Sequence, residues 1–301
     1  MARTATAVTL AGVSALAYGW LEHRSYRLRR VTVPVLAPGQ PPLRLLHLSD
    51  FHLTRHDRAL ARWLRGLADL RPDLVVSTGD NVAEAAALPL LAKALEPLFA
   101  FPGVFVFGSN DRYRSSLKVP WDYLRKQPQA RRTSQALPIE ALRALLTNSG
   151  WRSAEEARFL LPVAGRTVEI RGTGDAHINR DRYIAVAGPP DRTADLALGV
   201  THAPYQRVLD AMTADGVDLI LAGHTHGGQV CLPGFGALVT NCDLDRRQAK
   251  GLSTWSTADQ TAWLHVSAGL GTSPSAPYRI ACPPEASLLT LVSRVERAGG
   301  A

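Results

Sequence analysis

The sequence predicts a layered α/β domain that begins at Leu43, and two observations support this prediction. Short apolar runs alternate with amphipathic helical patterns from that residue onward, and the first three runs recur about every thirty residues, the length of a βαβ unit. The chain also has 301 residues, 46% of them hydrophobic, so it can bury one large core without disulfides. Its three cysteines are too few and too scattered for a disulfide framework or a thiolate zinc site.

The residues before Leu43 differ in composition from the rest. Thr4 to Leu21 is an uncharged, apolar run of eighteen residues, near the lower limit for a membrane-spanning helix. Four arginines follow it closely and only Arg3 precedes it, so the positive-inside rule predicts a cytoplasmic domain behind it. We therefore expect a membrane anchor at 1–22, a basic, proline-rich linker at 23–42 and the folded domain at 43–301. The alternative is a cleaved signal peptide and an exported domain, because Ala15-Leu16-Ala17 resembles a cleavage site.

The net charge of +8 is concentrated in two segments. Residues 1–44 carry six arginines against Glu22, and residues 112–132 carry seven lysines and arginines against Asp122. A nucleic-acid binder usually spreads its positive charge along a face, so nucleic acid is not an expected partner. The two segments either attract anionic lipid or substrate, or they are a topology signal and a solvated loop. The sequence indicates no protein partner.

Three predicted strands in the first half of the domain each lead into polar residues. The strands at 44–48, 73–77 and 104–107 precede Ser49-Asp50-Phe51-His52, Gly79-Asp80-Asn81 and Gly108-Ser109-Asn110-Asp111. Helices are predicted between them at 58–70 and 84–99. The carboxyl ends of parallel strands meet at one edge of a sheet, so these polar side chains should converge on one cleft.

The second half of the domain continues the alternation and adds antiparallel strands. After a basic surface excursion at 112–137 and a helix at 139–148, the runs 158–163 and 167–170 predict a hairpin. Strands at 196–200 and 219–222 flank a helix at 205–212 and lead into Thr201-His202 and Gly223-His224-Thr225-His226. The last strands are predicted at 263–266 and 287–292.

Five strand ends carry residues of the kinds that bind metals. They are Asp50, His52, Asp80, Asn110, His202, His224 and His226. Imidazole beside carboxylate and amide oxygen suits divalent or trivalent ions such as Mn, Fe or Zn. In an extended segment, Asp50 and His52 would point the same way, as would His224 and His226, so each pair could hold an ion. Each residue alone fits a turn, a cap or a core histidine, but together they favour a metal centre.

In their order along the chain, these residues resemble the calcineurin-like metallophosphoesterases, whose blocks are D-x-H, G-D, G-N-H, a single His and G-H-x-H. The resemblance covers residues 43–292, and the segment 223–229, GHTHGGQ, is similar to the bacterial, membrane-associated branch. It implies a layered sandwich of two mixed β-sheets flanked by helices. It also implies two metal ions, one held by Asp50, His52, Asp80 and His226, the other by Asp80, Asn110, His202 and His224. Asp80 would bridge them.

The third block departs from the family pattern. The family has Gly-Asn-His-Asp/Glu, whereas this chain has Gly108-Ser109-Asn110-Asp111. Counted without gaps from Gly103, Asn110 takes the ligand position and Asp111 the position of the catalytic histidine. Asp111 is thus a candidate general acid, although nearby cations would lower its pKa, and His52 or a bound water is the alternative. We expect a slower but active enzyme, because acid–base help contributes only ~10² to 10⁴-fold.

A second D-x-H pair, Asp175 and His177, follows the predicted hairpin. A metal-binding histidine usually donates its other ring nitrogen to a carboxylate or a carbonyl group. Asp175 is a candidate for that supporting role, and a structural turn is the alternative.

The resemblance implies a phosphoesterase in which a metal-bound hydroxide attacks phosphorus in line. The apolar N-terminus and the basic excursion favour a phosphodiester or phosphomonoester at the membrane face, such as a lipid or cell-envelope phosphate. A metal-binding scaffold or sensor without turnover is the alternative favoured by the missing histidine. A nuclease of the same superfamily is the alternative favoured by the basic segment.

Overall fold

A computed structural model describes residues 17–114, 135–232, 234–272 and 276–294 of the chain. Within these ranges the α-helices are α1 (Arg58–Gly66), α2 (Leu88–Leu95), α3 (Ser109–Arg112), α4 (Ile139–Asn148) and α5 (Gln206–Ala214). The strands are β1 (Arg27–Leu36), β2 (Leu43–Leu48), β3 (Leu74–Ser77), β4 (Gly103–Phe105), β5 (Arg152–Ser153), β6 (Ala157–Val163), β7 (Arg166–Gly172), β8 (Leu196–Val200), β9 (Leu219–Ala222), β10 (Cys231–Leu232), β11 (Gly236–Ala237), β12 (Gly251–Ser256), β13 (Thr261–Val266) and β14 (Glu285–Ser293).

The strands form two mixed sheets and one small hairpin. The first sheet has the order β1-β14-β2-β3-β4-β5, and β2 to β5 run parallel to one another, as the predicted βαβ units require. The second sheet has the order β12-β13-β9-β8-β7-β6, with β13, β9, β8 and β7 parallel. The predicted hairpin is confirmed, because β6 pairs antiparallel with β7 at the edge of this sheet.

The two sheets face each other across a shared apolar core. Val76 and Val104 of the first sheet belong to the same buried cluster as Leu198 and Leu221 of the second. Helices α1, α2 and α4 cover the other side of the first sheet, and α5 covers the other side of the second. This arrangement confirms the predicted α/β sandwich of two mixed sheets flanked by helices. The carboxyl ends of the parallel strands in both sheets lead into the loops that hold the predicted metal ligands.

The region between the apolar N-terminus and Leu43 is not a free linker. Its residues Arg27–Leu36 form β1, which pairs in parallel with β14 along its length. Val33 and Leu36 are fully buried in the core between the sheets. Burial of these side chains explains why the segment docks although its prolines and arginines indicate an extended linker.

Two other predicted segments differ from the structure or lie outside it. The helix predicted at 84–99 is an α-helix only at Leu88–Leu95 and has 3₁₀ turns on both sides, Ala85–Ala87 and Glu96–Ala100. Pro89 lies in its first turn, where a missing N–H is tolerated, so no kink results. Most of the basic excursion predicted at 112–137 lies outside the described residues.

Most of the predicted membrane anchor also lies outside the residues that the structure describes. Residues 17–22, its last part, form a short helical segment. Among the described residues, no helix has the length and apolar character needed to cross a membrane.

A buried ion-pair network stabilises the second sheet. Glu169 and Arg171 project from the same side of β7, and the Glu169 carboxylate accepts hydrogen bonds from Arg171 Nη2 at 2.7 Å and Arg158 Nη2 at 3.0 Å. The backbone N–H of Asp191 also donates to Glu169. Burial raises the pKa of Glu169, but these donors outweigh it and hold the pKa below its usual value.

Replacing Glu169 with glutamine is expected to cost roughly 2 kcal/mol of unfolding free energy at pH 7, because an amide weakens charged hydrogen bonds to buried arginine. Since the pKa is lowered on folding, the carboxylate stabilises the fold above the usual glutamate pKa of about 4.3. That contribution is lost as the pH falls through the lower, folded-state value. Urea unfolding of both proteins from pH 8 to pH 3 gives their unfolding free energies at each pH. A difference between the two proteins that stays the same at every pH would contradict the prediction.

Candidate metal centre

Five of the seven predicted ligands lie in unusual backbone conformations. Asp50, His52, Asp80, His224 and His226 have φ angles of 52°, 43°, 54°, 70° and 51°, in the left-handed region that side-chain-bearing residues rarely adopt. The expectation that the D-x-H and H-x-H pairs lie in extended segments is therefore wrong. Each pair lies in the loop that directly follows its strand. Such conformations cluster at functional sites because the surrounding structure must hold them in place.

The first group of candidate ligand atoms comes from Asp50, His52 and His226, whose donor atoms all lie within 4.8 Å of one another. The Nε2 atoms of the two histidines are 3.0 Å apart, with their rings stacked. His226 Nε2 lies 3.8 Å from Asp50 Oδ1. Two imidazole nitrogens and one carboxylate oxygen that face the same point can hold a divalent cation.

The second group combines Asp50 again with Asp80 and His202. His202 Nε2 and His52 Nε2 each lie 3.5 Å from Asp80 Oδ2. Asp80 therefore lies between the histidines of both groups, which suits the bridging position that the family resemblance implies. Asp50 also belongs to both groups, and sequence reasoning did not anticipate this sharing.

Asn110 lies against the same carboxylate. Its backbone N–H donates to Asp80 Oδ1 at 2.7 Å, and its side-chain Nδ2 lies 2.6 Å from Asp80 Oδ2. Asn110 thus lies at the centre, at the start of α3, and its role as a metal ligand stays a prediction.

His224 lies next to these groups but outside both of them. Its ring is 5.2 Å from the His202 ring, and its Nε2 lies 3.2 Å from the backbone oxygen of Asn241. Its backbone N–H donates to Asp50 Oδ2 at 2.9 Å. The structure therefore brings His224 to the centre, although its ring nitrogen does not share a metal-sized group with the other ligands.

The donor atoms fit metal ions because several buried polar atoms face the centre without a hydrogen bond. Within the described residues, these atoms include Asp50 Oδ1 and His202 Nε2. The Nδ1 atom of His202 lies 2.7 Å from the backbone oxygen of Thr78, which can only accept, so Nδ1 carries the proton and Nε2 can bind a cation. A buried polar atom without a partner is costly, and a cation would supply the missing interaction.

The electrostatics agree with a cation site. Burial raises the pKa of Asp80, but His202 and His52 outweigh it and hold the pKa well below its usual value. Burial lowers the pKa of His202, yet the Asp80, Asp175 and Asp50 carboxylates raise it well above its usual value. The ionised carboxylates thus attract positive charge to this point.

Asp111, the candidate general acid, is engaged elsewhere. Its Oδ1 accepts the backbone N–H of Asn81 at 2.6 Å, and its Oδ2 accepts those of Asp80 at 2.8 Å and Gly108 at 3.0 Å. Burial and the Asp80 carboxylate raise the pKa of Asp111 to about 7, although these N–H groups act in the opposite direction. With both oxygens bound to the loop, the structure favours a positioning role and argues against the expected proton donor. His52, the alternative acid, points its Nε2 at the ligand groups.

The second D-x-H pair lies beside the centre. The Asp175 carboxylate caps a 3₁₀ turn by accepting the backbone N–H of His177 at 2.8 Å, which confirms the turn interpretation. The charge of Asp175 also raises the pKa of His202, as a supporting carboxylate would. The His177 ring lies 4.5 Å from the His224 ring, and its Nδ1 is 3.1 Å from Tyr205 Oη.

Sequence reasoning missed Arg279, which is fully buried behind His226. Its guanidinium donates to the backbone oxygens of Ala268 at 2.7 Å and Gly271 at 2.6 Å, and it lies 3.3 Å from His226 Nδ1. The signal was present, because Arg279 is the only charged residue between Asp259 and Glu285. An isolated arginine in a long uncharged stretch indicates a buried structural cation.

The chain is similar in sequence to a known family and to known proteins. Residues 43–228 match the calcineurin-like phosphoesterase family. The chain is 26% identical over 294 residues to the protein YpbG of Bacillus subtilis, covering 96% of each chain. It is also 26% identical over 304 residues to the phosphodiesterase YaeI of Escherichia coli, covering 96% of this chain and 97% of that one.

Among solved structures, a 5'-nucleotidase precursor from Thermus thermophilus is similar to 83% of this chain and 55% of its own, with 14% identity and a TM-score of 0.46.

Proposed function

The chain belongs to the calcineurin-like phosphoesterase family and is a metal-dependent hydrolase of phosphate esters, and we propose that it works with two metal ions. One ion would be held by Asp50, His52 and His226, and the other by Asp80, Asn110 and His202, with His224 beside it. The observation that carries this proposal is that two groups of donor atoms, each of metal-site size, share Asp50, and that a histidine of each group lies 3.5 Å from Asp80 Oδ2.

The bound ions would supply Lewis acidity, which lowers the pKa of a water molecule and neutralises phosphate charge. The residues of the chain then hold and orient the substrate. Asn110 can face a phosphoryl oxygen through its side-chain amide, since its backbone is fixed on Asp80. With Asp111 bound to the loop, His177 and Tyr205 are the titratable side chains beside His224 that could protonate a leaving group.

The full chain is expected to bind about two metal ions and to hydrolyse bis-p-nitrophenyl phosphate when Mn is added. Elemental analysis of the purified protein measures the number of metal ions per chain, and release of p-nitrophenol measures the rate of hydrolysis. Chelation should abolish turnover and added Mn should restore it. One ion per chain with full activity would overturn the two-metal proposal. Two ions without turnover on any phosphate ester would instead support a metal-binding scaffold or sensor.

We further propose that the substrate is a phosphate ester at a membrane face and that the N-terminus tethers the chain there. Three exposed apolar side chains, Tyr18, Trp20 and Leu21, lie at the end of the apolar run. The helical segment that carries them contacts residues 278–280, and Arg279 N–H donates to the Gly19 carbonyl at 3.0 Å. Aromatic side chains of this kind favour the membrane–water interface.

A second exposed apolar group lies near residues 278–280. Ile280 pairs with Val230, next to the β10–β11 hairpin, which exposes Leu232, Phe235 and Leu238. Hydrolysis of phosphatidic acid in vesicles and of single-stranded DNA, compared at one salt concentration, tests the substrate class. Preference for the lipid supports the proposal, and preference for DNA would indicate a nuclease.

A further inference from the structure

A chain of hydrogen bonds runs from the second sheet, through the first, to the metal ligand Asp50. His265 Nδ1 on β13 lies 2.9 Å from His47 Nδ1 on β2, and His47 Nε2 lies 3.0 Å from Thr78 Oγ1. Thr78 Oγ1 lies 2.7 Å from Ser49 Oγ, which lies 2.5 Å from Asp50 Oδ2. All five side chains are buried, with at most 1% of their surface exposed.

We infer that His265, His47, Thr78 and Ser49 are positioning residues that fix which oxygen of Asp50 faces the metal ions. This inference rests on the proposed two-metal centre and adds residues that touch neither an ion nor the substrate. The chain of hydrogen bonds holds Asp50 Oδ2, while Asp50 Oδ1 has no hydrogen bond and points into the first ligand group.

The direction of every hydrogen bond in this chain follows from the carboxylate at its end. Asp50 can only accept, so Ser49 donates its single hydroxyl proton to it, and the Ser49 oxygen must then accept from Thr78. Thr78 has a competing acceptor in the Leu48 carbonyl, but that oxygen is 3.5 Å away and makes a much weaker bond. Having used its one proton on Ser49, the Thr78 oxygen must accept from His47.

The same reasoning fixes the protonation of both imidazoles. His47 must carry its proton on Nε2 to donate to Thr78, so its Nδ1 is an acceptor and His265 Nδ1 must donate to it. Burial lowers the pKa of both histidines, to about 4 for His265, which keeps them neutral as this arrangement requires. The four bonds therefore all donate toward Asp50, and bonds that act in one direction reinforce one another.

Local packing supports the role of Ser49 beside Asp50, at the end of this chain of hydrogen bonds. Gly223, directly before His224, lies so close that a β-carbon there would collide with the Ser49 hydroxyl and come within 2.6 Å of Asp50 Oδ2. The His224 N–H is the other donor to Asp50 Oδ2. Asp50 Oδ2 is therefore enclosed by protein donors and Asp50 Oδ1 is left for a cation.

Replacing Thr78 with valine tests the inference, because valine keeps the shape and the backbone oxygen that receives His202 but removes the hydroxyl. We expect the Mn dissociation constant of the full chain, measured by isothermal titration calorimetry, to rise roughly 10- to 100-fold. At saturating Mn, kcat should return close to the wild-type value. Thr78→Ser, which keeps the hydroxyl, should restore wild-type Mn affinity. Thr213→Val is the matched control, since Thr213 is an equally buried threonine on α5, away from the centre.

A second pair of variants tests the chain of hydrogen bonds at His265, the end that is farthest from Asp50. His265→Asn keeps a donor near the position of Nδ1, and His265→Phe removes it. We expect the phenylalanine variant to bind Mn more weakly than the asparagine variant. Wild-type Mn affinity in both Thr78→Val and His265→Phe would overturn the inference, while turnover by the wild-type protein would still support the proposed function. Equal weakening in Thr78→Val and Thr78→Ser would also overturn it, because that result would indicate packing alone.

Discussion

Asp80→Asn is expected to lower kcat/KM for bis-p-nitrophenyl phosphate by roughly 10³-fold or more. The Asp80 carboxylate lies 3.5 Å from both His52 and His202, which belong to different ligand groups, so it can bridge two ions. An amide keeps the shape but removes the negative charge, and bound metal ions contribute several kcal/mol to the transition state. Each 1.4 kcal/mol corresponds to a factor of ten in rate.

Steady-state kinetics and metal analysis of the same preparation test this expectation together. The variant should retain at most one ion per chain. Asp218→Asn is a suitable control, because Asp218 precedes β9 at the end opposite His224 and pairs with Arg294 at 2.7 Å. A full rate in Asp80→Asn, with two ions bound, would show that Asp80 bridges nothing.

The sequence predicted a layered α/β domain because its strands are buried on both faces and appear as continuous apolar runs, whereas the two-sheet sandwich was implied by the family resemblance. β3, β8 and β9 are buried throughout, and each leads directly to a polar residue that the order of motifs identifies. The convergence of the candidate ligand residues was predictable for the same reason. The carboxyl ends of parallel strands converge, so the meeting of residues far apart in sequence can be predicted without knowing the conformation of their loops.

Features that depend on loop conformation or on single contacts could not be predicted. Left-handed φ angles at His52 and His226 follow from the packing of the whole loop, since residues other than glycine adopt that region in only a few per cent of cases. β1 was predicted as part of a linker because its arginines and proline obscure the strand pattern. Its pairing with β14, which makes it a strand, cannot be read from the sequence. The position of Asp111 in the motif predicted an acid, whereas its oxygens contact backbone groups that no sequence pattern reveals.

Asp111→Asn is expected to destabilise the fold by roughly 2 kcal/mol, because the amide leaves a buried backbone N–H group without its acceptor. The Asp111 carboxylate accepts backbone N–H groups from both loops that carry Asp80 and Asn110, including Gly108 at 3.0 Å. In the amide, one oxygen becomes an N–H₂ group that faces other N–H donors, and each buried donor left without an acceptor costs about 1 to 3 kcal/mol. Urea unfolding measures the loss, with Asp195→Asn as control, since Asp195 accepts the backbone N–H of Thr167 at the surface.

The rate of Asp111→Asn on a series of aryl phosphodiesters separates a positioning residue from a general acid. A positioning residue affects every substrate alike, because misplaced Asp80 and Asn110 weaken metal binding whatever the leaving group. A general acid matters most for leaving groups of high pKa, so its removal slows those substrates more than p-nitrophenyl esters. We expect Asp111→Asn to lower the rate by the same factor for every substrate. In His177→Asn we expect the rate to depend more steeply on leaving-group pKa than in the wild-type protein. If Asp111→Asn alone shows the steeper dependence and keeps its stability, Asp111 donates the proton and its contacts to the loop are secondary.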